Sequence, residues 1–346
     1  MEISHEFFSK RLSFSASLAV ALIVSPLSFD IAYSADRVRL KELYKRPLTI
    51  PFEGVTPYSP QLATLGKMLF FDPRLSGAQN MNCATCHNPS FGFEVPVKTA
   101  IGAANVRLGR QAPTVLNAAW VKPLFWDGRA ATLEEQAAGP ISADVEMAGN
   151  FHDIVNTLKA INDYDKWFQR LFPEQGVTKE TILTAIATYE RTVVSGWSPF
   201  DRWVDGEEGA ISEAAKRGFD LFNGSAKCAE CHTGWNFTDN LFHDIGLDTQ
   251  DIGRAKYEPD NPKALYAFKT PGLRNTAYRA PFMHDGLFAT LEEVMAHYVS
   301  GGVARPSRSE RMSLLTISPQ DQKDLVEFMK PLTADKQETP VPILPN

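Results

Sequence analysis

The residues best suited to chemistry stand in two pentapeptides, Cys83-Ala84-Thr85-Cys86-His87 and Cys228-Ala229-Glu230-Cys231-His232. Together they use all four cysteines of the chain and two of its seven histidines. C-x-x-C-H is the spacing that attaches c-type haem. Two thiols three positions apart reach the two vinyl groups of one porphyrin, and the adjoining imidazole reaches the iron from the proximal side. Other readings compete. Zinc sites made of two C-x-x-C pairs place them about 15–20 residues apart, whereas Cys86 and Cys228 are far more distant, and zinc needs no histidine after each pair. Disulfides are open to an exported chain. A thioredoxin-like pair belongs in a βαβ pattern, and none surrounds either motif. The spacing therefore predicts two covalently bound haem c groups, one on Cys83, Cys86 and His87 and one on Cys228, Cys231 and His232.

The elements that must position these anchors share a pattern. Gly66-x-x-Leu69-Phe70 precedes the first motif and Gly218-x-x-Leu221-Phe222 the second. Leu62, Leu65 and Leu69 fall at helical spacing and form one apolar face, so two similar helical units are expected. Further helices are predicted over 151–171, 179–194, 291–299 and 319–329. Residues 196–201 read as a domain junction where Gly and Pro break the helix, residues 234–273 as loop, and residues beyond 333 as an exposed tail. No sustained alternation of apolar and polar residues is present. The expected fold is mainly α: two cytochrome c-like haem domains with long loops, over 35–195 and 196–335, with a tail at 336–346.

At 346 residues, 44% hydrophobic and 22% charged, the chain is an ordinary globular protein of about two domains. A net charge of −6 without a basic run argues against nucleic acid as a partner. Near the start, Lys10 and Arg11 precede an apolar run over 12–29, interrupted by Pro26, and Ala32-Tyr33-Ser34 offers a cleavage site. This is the layout of a secretory signal peptide over 1–34. The run is short and broken for a spanning helix, so a periplasmic mature chain with no membrane span is expected.

Between and after the anchors lie Phe125-Trp126-Asp127-Gly128-Arg129, Gln136 ten residues after the Trp, Val145-Glu146-Met147, Arg274-Asn275 after Thr270-Pro271, and Ala280-Pro281-Phe282-Met283-His284-Asp285-Gly286. With these landmarks in this order, the chain resembles the bacterial di-haem cytochrome c peroxidase family, in its MauG-like branch, from about Leu65 to Met329. On residue type alone Trp126 is a core aromatic and Glu146 a surface carboxylate; their roles come from the resemblance. It implies that Trp126 lies between the haems and relays electrons. It also implies that Gln136 and Glu146 sit over the first haem, with Glu146 moving a proton between the peroxide oxygens. Ordinary members carry a histidine ligand in the loop matching 101–107, which here has none, so the first iron is expected to be five-coordinate. The distal ligand of the second haem falls at Tyr298, as in MauG-type proteins, with Met295 and His297 as competitors. A phenolate there stabilises the ferric and higher states.

The resemblance further implies a calcium held by Gln111, where the family usually has Asn, and by the carbonyls of Arg279 and Pro281. MauG has a Trp two residues before its second anchor; here that residue is Ala226, so the protein substrate differs or oxidation leaves by another residue such as Trp235. The function implied is a periplasmic oxidoreductase in which hydrogen peroxide produces a high-valent di-haem state. That state oxidises Trp or Tyr in a protein substrate, as in tryptophan tryptophylquinone formation in methylamine dehydrogenase. The alternative is a peroxidase that reduces peroxide with electrons from a small cytochrome or cupredoxin. A plain electron-transfer cytochrome is a third.

Overall fold

The glycine common to the two Gly-x-x-Leu-Phe patterns is where each half of the chain is pinned. A computed structural model describes residues 37–52, 56–336 and 338–346; the expected signal peptide lies outside the described residues. The helices within Lys41–Asn346 are α1 (Pro60–Phe70), α2 (Cys83–Cys86), α3 (Leu133–Ser142), α4 (Phe151–Ala160), α5 (Asn162–Leu171), α6 (Lys179–Thr192), α7 (Pro199–Val204), α8 (Glu213–Asn223), α9 (Leu291–Ser300) and α10 (Pro319–Met329). One small antiparallel sheet pairs β1 (Phe242–His243) with β2 (Phe268–Lys269), Phe242 opposite Lys269. The fold is thus mainly helical.

Helix α1 packs on α6, and α8 on α10. A Cβ added to Gly66 would stand 1.9 Å from the carbonyl oxygen of Ala185, and one added to Gly218 would stand 2.0 Å from that of Asp324. No other residue lets the paired backbones approach this closely. Around the first crossing Leu62, Leu65, Leu69, Ile182, Ile186 and Tyr189 are buried together. Around the second the core is aromatic, with the Phe328 ring 5.2 Å from Phe222 and 5.6 Å from Phe219. Each large side chain buried this way contributes about 1.5–3 kcal/mol.

Four features differ from the sequence expectation. The helix expected over 151–171 is two helices, broken at Ile161, whose ψ of 104° is extended. Asp163 and Asp165 in the first turn of the second helix favour a new start there, since carboxylates suit a helix N-terminus. Pro199 opens α7 rather than ending a helix, because Ser198 caps it and proline is preformed for the first turn. Helix α3 is an addition, capped by Thr132. The tail is not free: Leu344 packs against the first core, and the Pro345 carbonyl accepts a hydrogen bond from Arg74 at 2.9 Å.

The expected junction at 195/196 runs through buried polar contacts. Asn117 donates to Ser195 Oγ at 3.1 Å, and Asp201 pairs with Arg274 at 2.6 Å and Arg46 at 3.3 Å. Glu94 of the first half pairs with Arg279 of the second at 2.9 Å. Removing one partner of such a buried pair costs about 3–5 kcal/mol.

Candidate haem-anchoring site

Local sequence builds each anchor. The Asn82 side chain accepts from the Thr85 amide while the Thr85 hydroxyl accepts from the Asn82 amide, both at 3.1 Å. This capping box fixes the single turn α2 and leaves His87 at its C-terminal end. Phe93 then adopts a φ of +59°, and its carbonyl meets His87 Nδ1 at 3.3 Å. The second anchor repeats the device: Phe237, at φ +55°, brings its carbonyl to 3.0 Å from His232 Nδ1. With Nδ1 occupied, Nε2 is the nitrogen left for a metal. Burial lowers the proton affinity of both imidazoles, against the pull of those carbonyls, so both are held neutral, the ligating form.

All four cysteines are free of disulfides. Burial pushes the Cys86 thiol up to about 11 and that of Cys228 up to about 12. Cys83, Cys86 and His87 lie in the wall of a cavity of about 710 Å³, within the span of about 300–1,000 Å³ usual for ligand sites. The donor set and the cavity fit a c-type haem.

The facing wall comes from α3 and the loop after it. Gln136 and Pro140 are one turn apart on α3 and both line the cavity, as does Glu146. Burial pushes the Glu146 carboxyl above its ordinary range, and Arg129 pulls it back. The loop over 101–107 is anchored beside Glu146: the Ala103 amide donates to the Glu146 carbonyl at 2.7 Å, and a Cβ on Gly102 would meet the Val145 carbonyl at 2.0 Å. Val106 and Arg107 of this loop reach the cavity, and His87 is the one histidine among the described residues that line it.

Trp126 also lines the cavity. Its Nε1 donates to the Gln111 carbonyl at 2.9 Å, and its ring stands edge-on to His284, 6.4 Å between centroids. At the second anchor, burial and then the Cys228 and Cys231 sulfurs push the Tyr298 phenol upward, so Tyr298 lies within electrostatic reach of both cysteines. The neighbouring His297 is occupied, its Nε2 2.9 Å from the Ile245 carbonyl; Met295 is buried. Ala226 is buried. Trp235 stacks edge-on against Trp120 at 4.8 Å and faces Arg46, which also covers the ring of the exposed Trp197.

Of the donors expected to hold calcium, Gln111 and Pro281 are brought together: Gln111 Nε2 donates to the Pro281 carbonyl at 2.7 Å, which leaves Gln111 Oε1 as the amide's oxygen for a hard cation. A further group, His243 and Asp239, lies 2.8 Å apart beside Cys231. Only its i, i+4 spacing could have drawn attention to it.

A helical chain with two such anchors, each a C-x-x-C-H turn with its imidazole fixed from behind, has the makings of a multi-haem c-type protein. The family described as di-haem cytochrome c peroxidase matches residues 60–209. The chain is similar to the methylamine utilization protein MauG of Methylorubrum extorquens, 45% identical over 317 residues, which cover 91% of this chain and 90% of that protein. It is similar to the methylamine utilization protein MauG of Methylophilus methylotrophus at 42% over 331 residues, covering 94% and 98%. Among solved structures, a MauG-like protein associated with microbial copper homeostasis aligns with a TM-score of 0.77 at 30% identity, over 84% of this chain and 94% of that one. The chain belongs to the di-haem cytochrome c peroxidase family and is a haem peroxidase-type oxidoreductase.

Proposed function

We propose that the protein is a periplasmic, MauG-like enzyme that uses hydrogen peroxide at its first anchor to oxidise a residue of a protein substrate. Haem bound at Cys83, Cys86 and His87 supplies an iron that accepts oxidising equivalents from peroxide. One observation carries the reading. Helices α3 and α9 open with the same Thr-Leu-Glu-Glu cap, at Thr132 and Thr290. Eight residues on, the first presents Pro140 and the second Tyr298. A pyrrolidine ring cannot ligate iron, while a phenol can. With haem at both anchors, the first would keep room for peroxide, and His232 and Tyr298 would hold the second.

In the first cavity Glu146 lines the wall and would accept and return a proton for peroxide bound there. Its raised proton affinity suits that exchange. Gln136, a neutral donor on the same wall, orients the peroxide. Trp126, lining this cavity and touching His284 of the second half, connects the two sites. Trp235, Arg46 and Trp197 form a path from the second anchor to the surface, in place of the residue that Ala226 lacks. The Trp or Tyr of the substrate is oxidised through that surface, as in cofactor maturation of a methylamine dehydrogenase.

A cytochrome-dependent peroxidase would share the first site and differ in its electron source. Adding peroxide to the oxidised holoprotein separates the two. A spectral change that persists until a specific protein substrate is added supports the proposal; rapid return on adding reduced cytochrome c, with steady peroxide consumption, overturns it.

A further inference from the structure

Glu190 is a buried acid that the proposed chemistry leaves unused. It sits on α6, is 4% exposed, lines the first cavity and leaves its Oε2 without a hydrogen-bond partner. The neighbouring cation does not neutralise it, because Arg191 is engaged by both oxygens of Glu134 at 2.9 and 3.1 Å. The ionisable groups that interact with it are Cys83 on α2, Glu134 on α3, and Tyr189 and Arg191 on its own helix. Burial, with Glu134 adding and Arg191 opposing, pushes the Glu190 carboxyl up to about 8.

The second half indicates what the fold itself requires at this position. Gly66 meets Ala185 and Tyr189, and Gly218 meets Asp324 and Phe328. The same step along the chain pairs Glu190 with Met329, which is buried. An apolar side chain therefore satisfies the packing, and an unpaired buried carboxyl is a cost without a structural return.

We propose that Glu190 is the proton-holding group of the first haem: its carboxyl takes up one proton from solvent when that haem gains one electron and releases it when the electron leaves. The inference rests on haem being attached at Cys83 and Cys86. The oxidised centre carries one more positive charge than the reduced one, and in this dry wall that charge favours the carboxylate. Electron and proton then travel together and the net charge of the cavity stays constant. Glu190 acts on the cavity's electrostatics and is a positioning residue.

The test is a spectroelectrochemical titration of the first haem in the holoprotein from about pH 6 to about pH 10. One proton per electron gives a midpoint falling by about 59 mV per pH unit across the window where Glu190 titrates. Glu190→Gln should flatten that slope with two haems still attached per chain by mass. An unchanged slope in Glu190→Gln, or no slope in the wild type, overturns the inference; loss of the first haem in the wild type would instead strike the anchor reading. Glu190→Met, copying the second half, should fold with an unfolding temperature at or above wild type and should also be flat. A Met variant that fails to fold would make Glu190 structural and overturn the inference as well.

Discussion

The two halves of the molecule are alike where they hold and unlike where they react. Both cross two helices at a glycine, both fix the anchor histidine through the carbonyl of a left-handed phenylalanine, and both cap a helix with Thr-Leu-Glu-Glu. At equivalent places, however, Pro140 stands against Tyr298, Trp126 against His284 and Glu190 against Met329. The shared features are those backbone geometry demands. Of the unequal ones, Pro140, Trp126 and Glu190 line the cavity beside the first anchor. A repeated scaffold thus fixes where a side chain stands and leaves its chemistry open.

The sharpest way to break the comparison is to remove the acid found only on the first side. Glu146→Gln should lower kcat/KM for peroxide by about 10²–10⁴-fold, measured by stopped-flow mixing with the oxidised holoprotein, while the second haem's spectrum stays as it was. The scaffold predicts equal effects in the two halves. Gly66→Ala and Gly218→Ala each drive a methyl into a carbonyl and should each destabilise by about 3 kcal/mol, read from denaturant unfolding. A large inequality would show that the crossings are not equivalent.

Tyr298→Phe should move only the second haem's absorption bands, and an unchanged spectrum would remove Tyr298 as its ligand. Gln111→Asn shortens the amide by one methylene, frees the Pro281 carbonyl and should raise the calcium retained per chain over wild type by metal analysis. The smallest effect is a shift in pH dependence. Glu146 must be ionised to accept a proton, so the peroxide rate should fall as pH drops through a value above the ordinary carboxylate range. Arg129 holds that value down, and Arg129→Gln should move the acid limb to higher pH.

Much of this was legible in the sequence because it is local. The anchors are contiguous pentapeptides, and the glycine patterns, the faces of α1 and α6 and the helices α9 and α10 follow from spacing within one turn or two. The break at Ile161 was not legible, since the apolar spacing of residues 151–171 keeps one helical face across it and the extended turn at Ile161 leaves no mark on that spacing. Pro199 read as a breaker because its role depends on the Ser198 cap. The Gln111–Pro281 contact joins residues 170 positions apart, and no local rule reaches that far. Trp126 and Glu146 were recognised through the family resemblance; residue type alone would have left them in the core and on the surface.

The meeting of Trp126 with His284 bears on how such a protein can arise. These are the same position in the two repeats, and they touch. In a symmetric dimer of a one-haem chain, a residue on the twofold axis faces its own copy, so both sides must be tryptophan or both histidine. Joining the repeats in one polypeptide lifts that restriction. The unequal Trp126–His284 pair is an arrangement that a homodimer cannot encode, and it requires the two copies to be free to differ in sequence.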